Sequence, residues 1–180
     1  MESLDPTHRL MFDAIAFAAR AHQGQIRKDG ATPYVSHVFR VFFTLRQVFG
    51  IDDPAAFAAA LLHDTIEDTT TDLDDLKNRF GPEVAGWVAI LTKDKRLPED
   101  EREKQYCAAL AAGPWQVQAC KLADIYDNLL DSRTLSAEQR RRTIQRSRLY
   151  LTALDHPQLP PRVRTAHQLV TRLVTDFEKA

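Results

Sequence analysis

The amino-acid sequence predicts an all-α protein, a helical bundle of roughly eight to ten helices that forms one domain over residues 1–180. Apolar residues recur at spacings of three and four, which is the period of an amphipathic helix. Capping residues or prolines begin most of these segments, and glycines end several of them. No segment shows the sustained period-two alternation with a hairpin turn that paired strands require. A length of 180 residues fits one ordinary domain.

The first half of the chain predicts five helices, each opened by a capping residue or a proline. Asp, Ser and Thr side chains accept hydrogen bonds from the first free N–H groups of a helix, and proline fits its first turn. The first predicted helix follows Asp5-Pro6 and runs to Ala21, with Gly24 after it, and the second follows Thr32-Pro33 and runs up to Gly50. The third follows Asp53-Pro54 and covers AAFAAALLHDTIEDT. The fourth begins at a Thr71/Asp74 capping box and ends at Gly81, and the fifth runs from Pro82 to about Thr92. The stretch from Pro54 to Thr69 is thereby predicted as one continuous helix.

The second half predicts four further helices with the same punctuation. They are Pro98 to Ala112 before Gly113, Pro114 through KLADIYDNLLD, a Ser136/Gln139 capping box before RRRTIQRSRLYLTAL, and Pro161 to near the C-terminus. Two polar loops, residues 24–31 and 92–103, interrupt the helices and carry several Lys and Arg side chains. Because binding groups concentrate on loops of rigid scaffolds, both loops are candidate parts of a binding site.

Composition limits the class of partner and the setting of the protein. Lys and Arg number 24 and Asp and Glu 25, so the chain lacks the basic excess of a nucleic-acid binder. No apolar run approaches the ~20 residues that span a bilayer, and the polar N-terminus does not resemble a secretory signal. Two cysteines, Cys107 and Cys120, are too few for a disulfide framework. We expect a cytoplasmic protein with a small-molecule partner and no contact with nucleic acid or membrane. The oligomeric state stays open.

The most informative segment is LLHDTIED, where charged side chains follow an apolar run directly. In a helix, His63 and Glu67 lie four residues apart on one face, and Asp64 and Asp68 do the same. Three carboxylates this close repel one another, and a bound cation relieves that repulsion. A solvated helix end would explain Glu67 and Asp68, but it accounts poorly for His63-Asp64 directly after eight apolar residues.

Two more residues extend this set. His37 lies one turn into the helix that begins at Pro33, and Asp124 interrupts an apolar run in which an unpaired carboxylate would be costly. Taken singly, His37 is explained by an ordinary hydrogen bond and Asp124 by a neighbouring cation. Together with His63-Asp64 they give two imidazoles and two carboxylates from three helices. Such a mixed nitrogen and oxygen set suits Mn²⁺, Fe²⁺ or Zn²⁺ with open positions for water and substrate.

The adjacent His-Asp, with a preceding His and a following Asp, resembles the HD-domain metal-dependent phosphohydrolases. Within that superfamily, RKDGATPYVSH, LLHDTIEDT and KLADIYDN resemble in order the three hydrolase motifs of the RelA/SpoT family of (p)ppGpp-metabolising enzymes. Similarity in AHQGQ, FGPEVA and LTKDKRLP extends the resemblance over roughly residues 8–155. The length leaves no room for synthetase or regulatory domains, so we expect a stand-alone small alarmone hydrolase of the metazoan SpoT homologue type.

The resemblance implies a role for individual residues of this chain. The residues that fall on the family's metal ligands, usually filled by Mn²⁺, are His37, His63, Asp64 and Asp124. The residues that fall on the carboxylates credited with activating and orienting the attacking water are Glu67 and Asp68. The residues implied to contact the nucleotide or its phosphates are Arg27, Lys28, Lys95, Asn128, Arg146 and Tyr150.

The chain departs from the family pattern at two places. Ile125-Tyr126-Asp127 stands where the family usually has a basic residue, then Leu or Ile, and often His. Ser36 replaces an asparagine. Neither departure falls on an implied metal ligand, so both bear on base selectivity and not on metal binding.

The implied reaction is hydrolysis of the 3′ ester of (p)ppGpp, which releases pyrophosphate and GDP or GTP. One alternative is the same site acting on (p)ppApp or on the 2′-phosphate of NADPH. Another is a nucleotide-sensing module of the same fold without turnover. The Glu67-Asp68 pair argues against the sensor, since a protein that only binds needs no group to activate water.

Overall fold

A computed structural model describes residues 5–179, which form nine α-helices, two short helical turns and an isolated β-bridge between Ile26 and Pro33. The helices are α1 Pro6–Ala21, α2 Val35–Phe43, α3 Pro54–Leu62, α4 Thr65–Asp68, α5 Leu73–Leu91, α6 Glu99–Ala112, α7 Trp115–Asp131, α8 Ala137–Leu154 and α9 Pro161–Lys179. A π-helical turn, Thr44–Val48, continues α2, and a 3₁₀ turn, Ser132–Thr134, joins α7 to α8. The all-α prediction is confirmed.

Local capping chemistry explains where several helices begin. The Asp5 side chain accepts from the Thr7 N–H before α1, and Asp53 accepts from the Ala56 N–H before α3. A reciprocal Ser136/Gln139 capping box opens α8 as the sequence predicts. These contacts satisfy N–H groups that have no partner inside the helix.

The start of α5 differs from the sequence prediction, and its middle agrees with it. The capping box is formed by Asp72 and Asp75, one residue later than Thr71 and Asp74, because Asp72 has the extended backbone of a cap and accepts from the Asp75 N–H. The predicted stop at Gly81 and new start at Pro82 are confirmed as a break between two helical stretches of α5, because Gly81 has a non-helical φ of 83° and ψ of 165°. The helical path then resumes at Pro82.

The segment predicted as one helix from Pro54 to Thr69 is divided in the structure. Helix α3 ends at Leu62, His63 and Asp64 form a turn, and α4 begins at Thr65. The Thr65 hydroxyl donates to the Leu62 carbonyl over 2.7 Å, a local bond that competes with the helical hydrogen bonds. The four-residue spacing of a regular helix therefore does not describe His63 and Glu67.

The core is built around α3, in which Ala56 to Leu62 are all buried. Its alanines allow close approach of the neighbouring helices, and α3 packs against α1, α2, α5 and α7. No helix in residues 5–179 is long and apolar enough to cross a membrane. Because the His63-Asp64 turn directly follows this buried helix, its side chains extend from one of the most tightly packed parts of the protein.

Alanine substitutions at two glycines of α5 test whether the helix is kinked at Gly81. Gly81 has a positive φ, so Gly81→Ala should lower the free energy of unfolding by about 1 kcal/mol or more. Gly86 lies in regular helix with nothing within 4 Å of an added Cβ, so Gly86→Ala should raise it by roughly 0.5–1 kcal/mol. Urea unfolding measures both, and two changes of the same sign would contradict the kink.

Candidate active site

Four side chains from three segments converge at the end of α3. His37 comes from α2, His63 and Asp64 from the turn after α3, and Asp124 from α7. The His37 Nε2 lies 3.5 Å from Asp64 Oδ2 and 3.2 Å from Asp124 Oδ1. The His63 Nε2 lies 3.0 Å and 3.8 Å from the same two oxygens. Such separations fit donor atoms that surround one ion at bond lengths of about 2.0–2.2 Å.

Hydrogen bonds to the other ring nitrogens orient both imidazoles. The His63 Nδ1 donates to the Ala60 carbonyl over 2.7 Å, and the His37 Nδ1 lies 2.6 Å from Asp127 Oδ2. Each ring therefore donates from Nδ1 and turns its Nε2 toward Asp64 and Asp124. The buried His63 Nε2 has no hydrogen-bond partner among the described residues. An Nε2 atom buried against carboxylates is stabilised by a positive charge on or beside it, either a proton or a metal ion, so this donor set fits a divalent metal.

The carboxylates also shift the pKa values of the two histidines. Burial alone lowers the pKa of His37, but hydrogen bonds to Asp124, Asp127 and Asp64 outweigh burial and raise it to about 9. The pKa of His63 rises well above its usual value for the same reason, against burial and mainly through the charge of Asp64. The site therefore attracts positive charge strongly, and a metal ion would compete with protons for the same Nε2 atoms.

Three neighbours hold this set in place. The sequence analysis did not single out Lys121 or Tyr34. It assigned the departure at Asp127 to base selectivity and not to metal binding, which is wrong because Asp127 contacts the candidate metal ligand His37. The buried Lys121 Nζ lies 2.7 Å from Asp124 Oδ2, which leaves Oδ1 to face the histidines. The Tyr34 hydroxyl donates to Asp64 Oδ2 over 2.6 Å. Asp127 accepts from Arg40 over 2.6 Å besides its bond to His37. Ionisable residues at 121 and 127, three before and three after Asp124 in a mostly apolar helix, were the available sequence signal.

The two carboxylates of α4, Glu67 and Asp68, have different surroundings. Glu67 Oε2 accepts from the Lys93 backbone N–H over 2.9 Å, and burial raises the pKa of Glu67. Asp68 Oδ1 lies 2.6 Å from the Lys95 Nζ, which is exposed to solvent. The charge of Asp68 is thus offset by a cation, whereas Glu67 keeps a proton affinity above the ordinary value for its type.

A cavity of about 520 Å³ opens beside the metal-ligand candidates. The residues predicted to bind substrate that line it are Arg27, Lys28, Asn128, Arg146 and Tyr150. Lys95 lies outside its wall, and Lys93, which the sequence analysis did not single out, lies inside. The cavity therefore joins an acidic end at Asp64 and Asp124 to a wall rich in cations.

Arg27 is held in a fixed orientation at one side of the cavity. Its guanidinium donates to Asp131 over 2.7 Å and to Asn128 Oδ1 over 3.0 Å. The Asn128 amide in turn donates to Asp124 Oδ1 over 2.5 Å. Arg27 also lies 5.4 Å from the centre of the Tyr34 ring, within reach of a cation–π contact. This chain of contacts links a cation of the loop to the metal-ligand candidates.

The all-α fold and the His, His-Asp, Asp set define the class of HD-domain proteins, and the HD domain family model matches residues 14–151. The curated protein MESH1 of Drosophila melanogaster, a guanosine-3′,5′-bis(diphosphate) 3′-pyrophosphohydrolase, is 39% identical over 127 residues, 70% of each chain. MESH1 of Homo sapiens is also 39% identical over 127 residues, 70% of this chain and 69% of that one. The chain therefore belongs to the HD-domain family, together with these MESH1 pyrophosphohydrolases.

A solved structure supports the same relationship in three dimensions. It is described as a metazoan ortholog of SpoT that hydrolyzes ppGpp, and it is 29% identical with a TM-score of 0.80 over 96% of this chain and 97% of that one. A longer relative, the GTP pyrophosphokinase of Streptomyces coelicolor, is 36% identical over 155 residues, which is 83% of this chain and 18% of that protein. The resemblance to RelA/SpoT-type HD hydrolases is thus confirmed.

The contact between Asp127 and His37 predicts a selective loss of metal affinity. Asp127→Ala should weaken Mn²⁺ binding by about 10–100-fold, because partners that orient a metal-bound imidazole contribute on that scale. Asp131→Ala is the matched control, since Asp131 also pairs with Arg40 but does not touch His37. Calorimetric titration with Mn²⁺ should show a change within about twofold for the control. Equal losses in both variants would contradict the role of the Asp127 contact.

Proposed function

We propose that this chain is a metal-dependent hydrolase that cleaves the 3′ ester of (p)ppGpp and releases pyrophosphate with GDP or GTP. The observation that carries the proposal is the convergence of two imidazoles and two carboxylates beside Glu67, at the acidic end of a cation-lined cavity. A substrate with phosphate groups needs both a site for a metal and cations for its remaining charge. The names of the MESH1 relatives support the same reaction.

His37, His63, Asp64 and Asp124 are proposed to hold one divalent ion, Mn²⁺ first, with Fe²⁺ or Zn²⁺ as alternatives. The mixed nitrogen and oxygen donors suit these ions better than Mg²⁺ or Ca²⁺, which prefer oxygen alone. When bound, the ion polarises a phosphoryl oxygen and lowers the pKa of a water molecule. Lys121 and Asp127 keep Asp124 and His37 oriented for this contact.

Glu67 is proposed to accept the proton of the attacking water. Burial raises the pKa of its carboxyl, which makes the ionised form a better proton acceptor. The Lys93 N–H fixes Glu67 Oε2, and Oε1, which has the Lys95 Nζ 3.8 Å away, is proposed to face the water. Asp68, whose Oδ1 is paired with Lys95, is better suited to orient the water than to take its proton. The two carboxylates thus divide the roles that the sequence resemblance implies.

Arg27, Lys28, Asn128, Arg146 and Tyr150 are proposed to bind the nucleotide, since all five line the cavity. The guanidinium of Arg27 is already oriented by Asp131 and Asn128, so less entropy is lost when it meets a phosphate. Lys95 is proposed to orient Asp68 and not to contact the nucleotide directly, because its ammonium lies against the Asp68 carboxylate and outside the cavity wall.

A substrate panel tests the function. With Mn²⁺, the protein should convert ppGpp to GDP and pyrophosphate, and Asp64→Ala should lose both hydrolysis and metal while circular dichroism stays helical. Chromatography of products from ppGpp, ppApp and NADPH, together with metal analysis, measures this. If ppApp or NADPH is hydrolysed and ppGpp is not, the proposed substrate is wrong and the hydrolysed nucleotide takes its place. A wild-type protein that is inert with all three would favour the nucleotide sensor.

A further inference from the structure

Lys93 lies in the loop after α5 with its side chain inside the cavity wall and only 14% exposed. Its Nζ lies 3.1 Å from Glu103 Oε1 and 2.5 Å from the Tyr150 hydroxyl. Tyr150 donates its own proton to Glu103 Oε2 over 2.5 Å, so its oxygen is free to accept from Lys93. An ammonium has three N–H donors, and no third acceptor for Lys93 occurs within residues 5–179.

The surroundings of Lys93 concentrate positive charge at the cavity. Lys93 and Lys121 lie against the same two aromatic rings, Tyr106 and Tyr150, with each ammonium 4.5–5.1 Å from the ring centres. Burial, and then the charge of Lys121, lower the pKa of Lys93. Glu103, the counter-ion of Lys93, is not part of the cavity wall. Lys93 therefore lines the cavity, whereas the carboxylate that pairs with it lies outside the cavity wall.

The backbone explains why Lys93 points inward and Lys95 does not. The Lys93 N–H is bound to Glu67 Oε2, which fixes the loop against α4. From that anchor the Lys93 side chain reaches Tyr150 and Glu103, whereas the Lys95 Nζ reaches Asp68 and the Glu67 carbonyl. Two lysines of one short loop thus have separate tasks.

We propose that Lys93 binds a phosphate group of the nucleotide with its free N–H, and that Glu103 and Tyr150 position it for this contact. The inference rests on the proposed function, because it concerns how the same cavity holds its substrate. The ligand chemistry is a phosphate oxygen. It belongs either to the 5′-diphosphate that stays on the nucleoside or to the pyrophosphate that leaves. GDP carries the first group and inorganic pyrophosphate the second, so these two probes separate the sources.

The test compares Lys93→Met with Lys104→Met, which makes the same charge change at an exposed position of α6. Calorimetry on the Mn²⁺-loaded proteins measures the Kd of GDP and of pyrophosphate. Lys93→Met should raise at least one of these Kd values about tenfold, and the KM for ppGpp by a similar factor with kcat within about threefold. Lys93→Arg should recover most of the affinity, because it keeps the charge. Lys104→Met should match the wild type.

Each outcome decides the inference separately from the proposed function. A raised Kd for GDP alone assigns Lys93 to the 5′-diphosphate, and a raised Kd for pyrophosphate alone assigns it to the leaving group. Unchanged Kd values for both probes in a folded Lys93→Met protein overturn the inference even if ppGpp is hydrolysed normally. Wild-type protein that binds neither probe overturns it as well. A wild-type protein that binds both probes but does not hydrolyse ppGpp would instead count against the proposed function.

Discussion

The structure depends on one electrostatic constraint, which is that two buried imidazoles turn their Nε2 atoms toward two carboxylates. His37 and His63 are fixed in this orientation by Nδ1 contacts to Asp127 and to a backbone carbonyl. Neither ring can rotate away without losing a buried hydrogen bond, which costs about 1–3 kcal/mol. The arrangement becomes favourable when positive charge lies between the rings and the carboxylates. The fold therefore builds a position for a cation before any ligand arrives.

The surrounding charges follow from the same constraint. Lys121 neutralises the outer oxygen of Asp124 and Arg40 pairs with Asp127, so each carboxylate that contacts a histidine is also held by a second group. Beyond them, Lys93 and Arg146 face the cavity in front of Glu103. The cavity therefore has an acidic end that suits a metal ion and a cationic wall that suits phosphate groups. A polyphosphate nucleotide matches both ends at once.

The sequence predicts most of the fold because helix starts depend on local chemistry. Asp5, Asp53 and Ser136 cap the helices that their positions predict. The break after Leu62 could not be predicted in this way, because it combines a local side-chain bond of Thr65 with the burial of α3, which depends on the tertiary fold. The candidate metal ligands could be named from motif resemblance. The inward direction of Lys93 could not, because it is set by a contact to Glu67 twenty-six residues away.

The most direct test of this account is a crystal structure of the Mn²⁺-loaded protein with anomalous scattering measured at the manganese edge. The account predicts one strong peak at about 2.0–2.2 Å from the Nε2 atoms of His37 and His63 and from carboxylate oxygens of Asp64 and Asp124. No peak at that position, or a peak bound only by exposed carboxylates elsewhere, would contradict it.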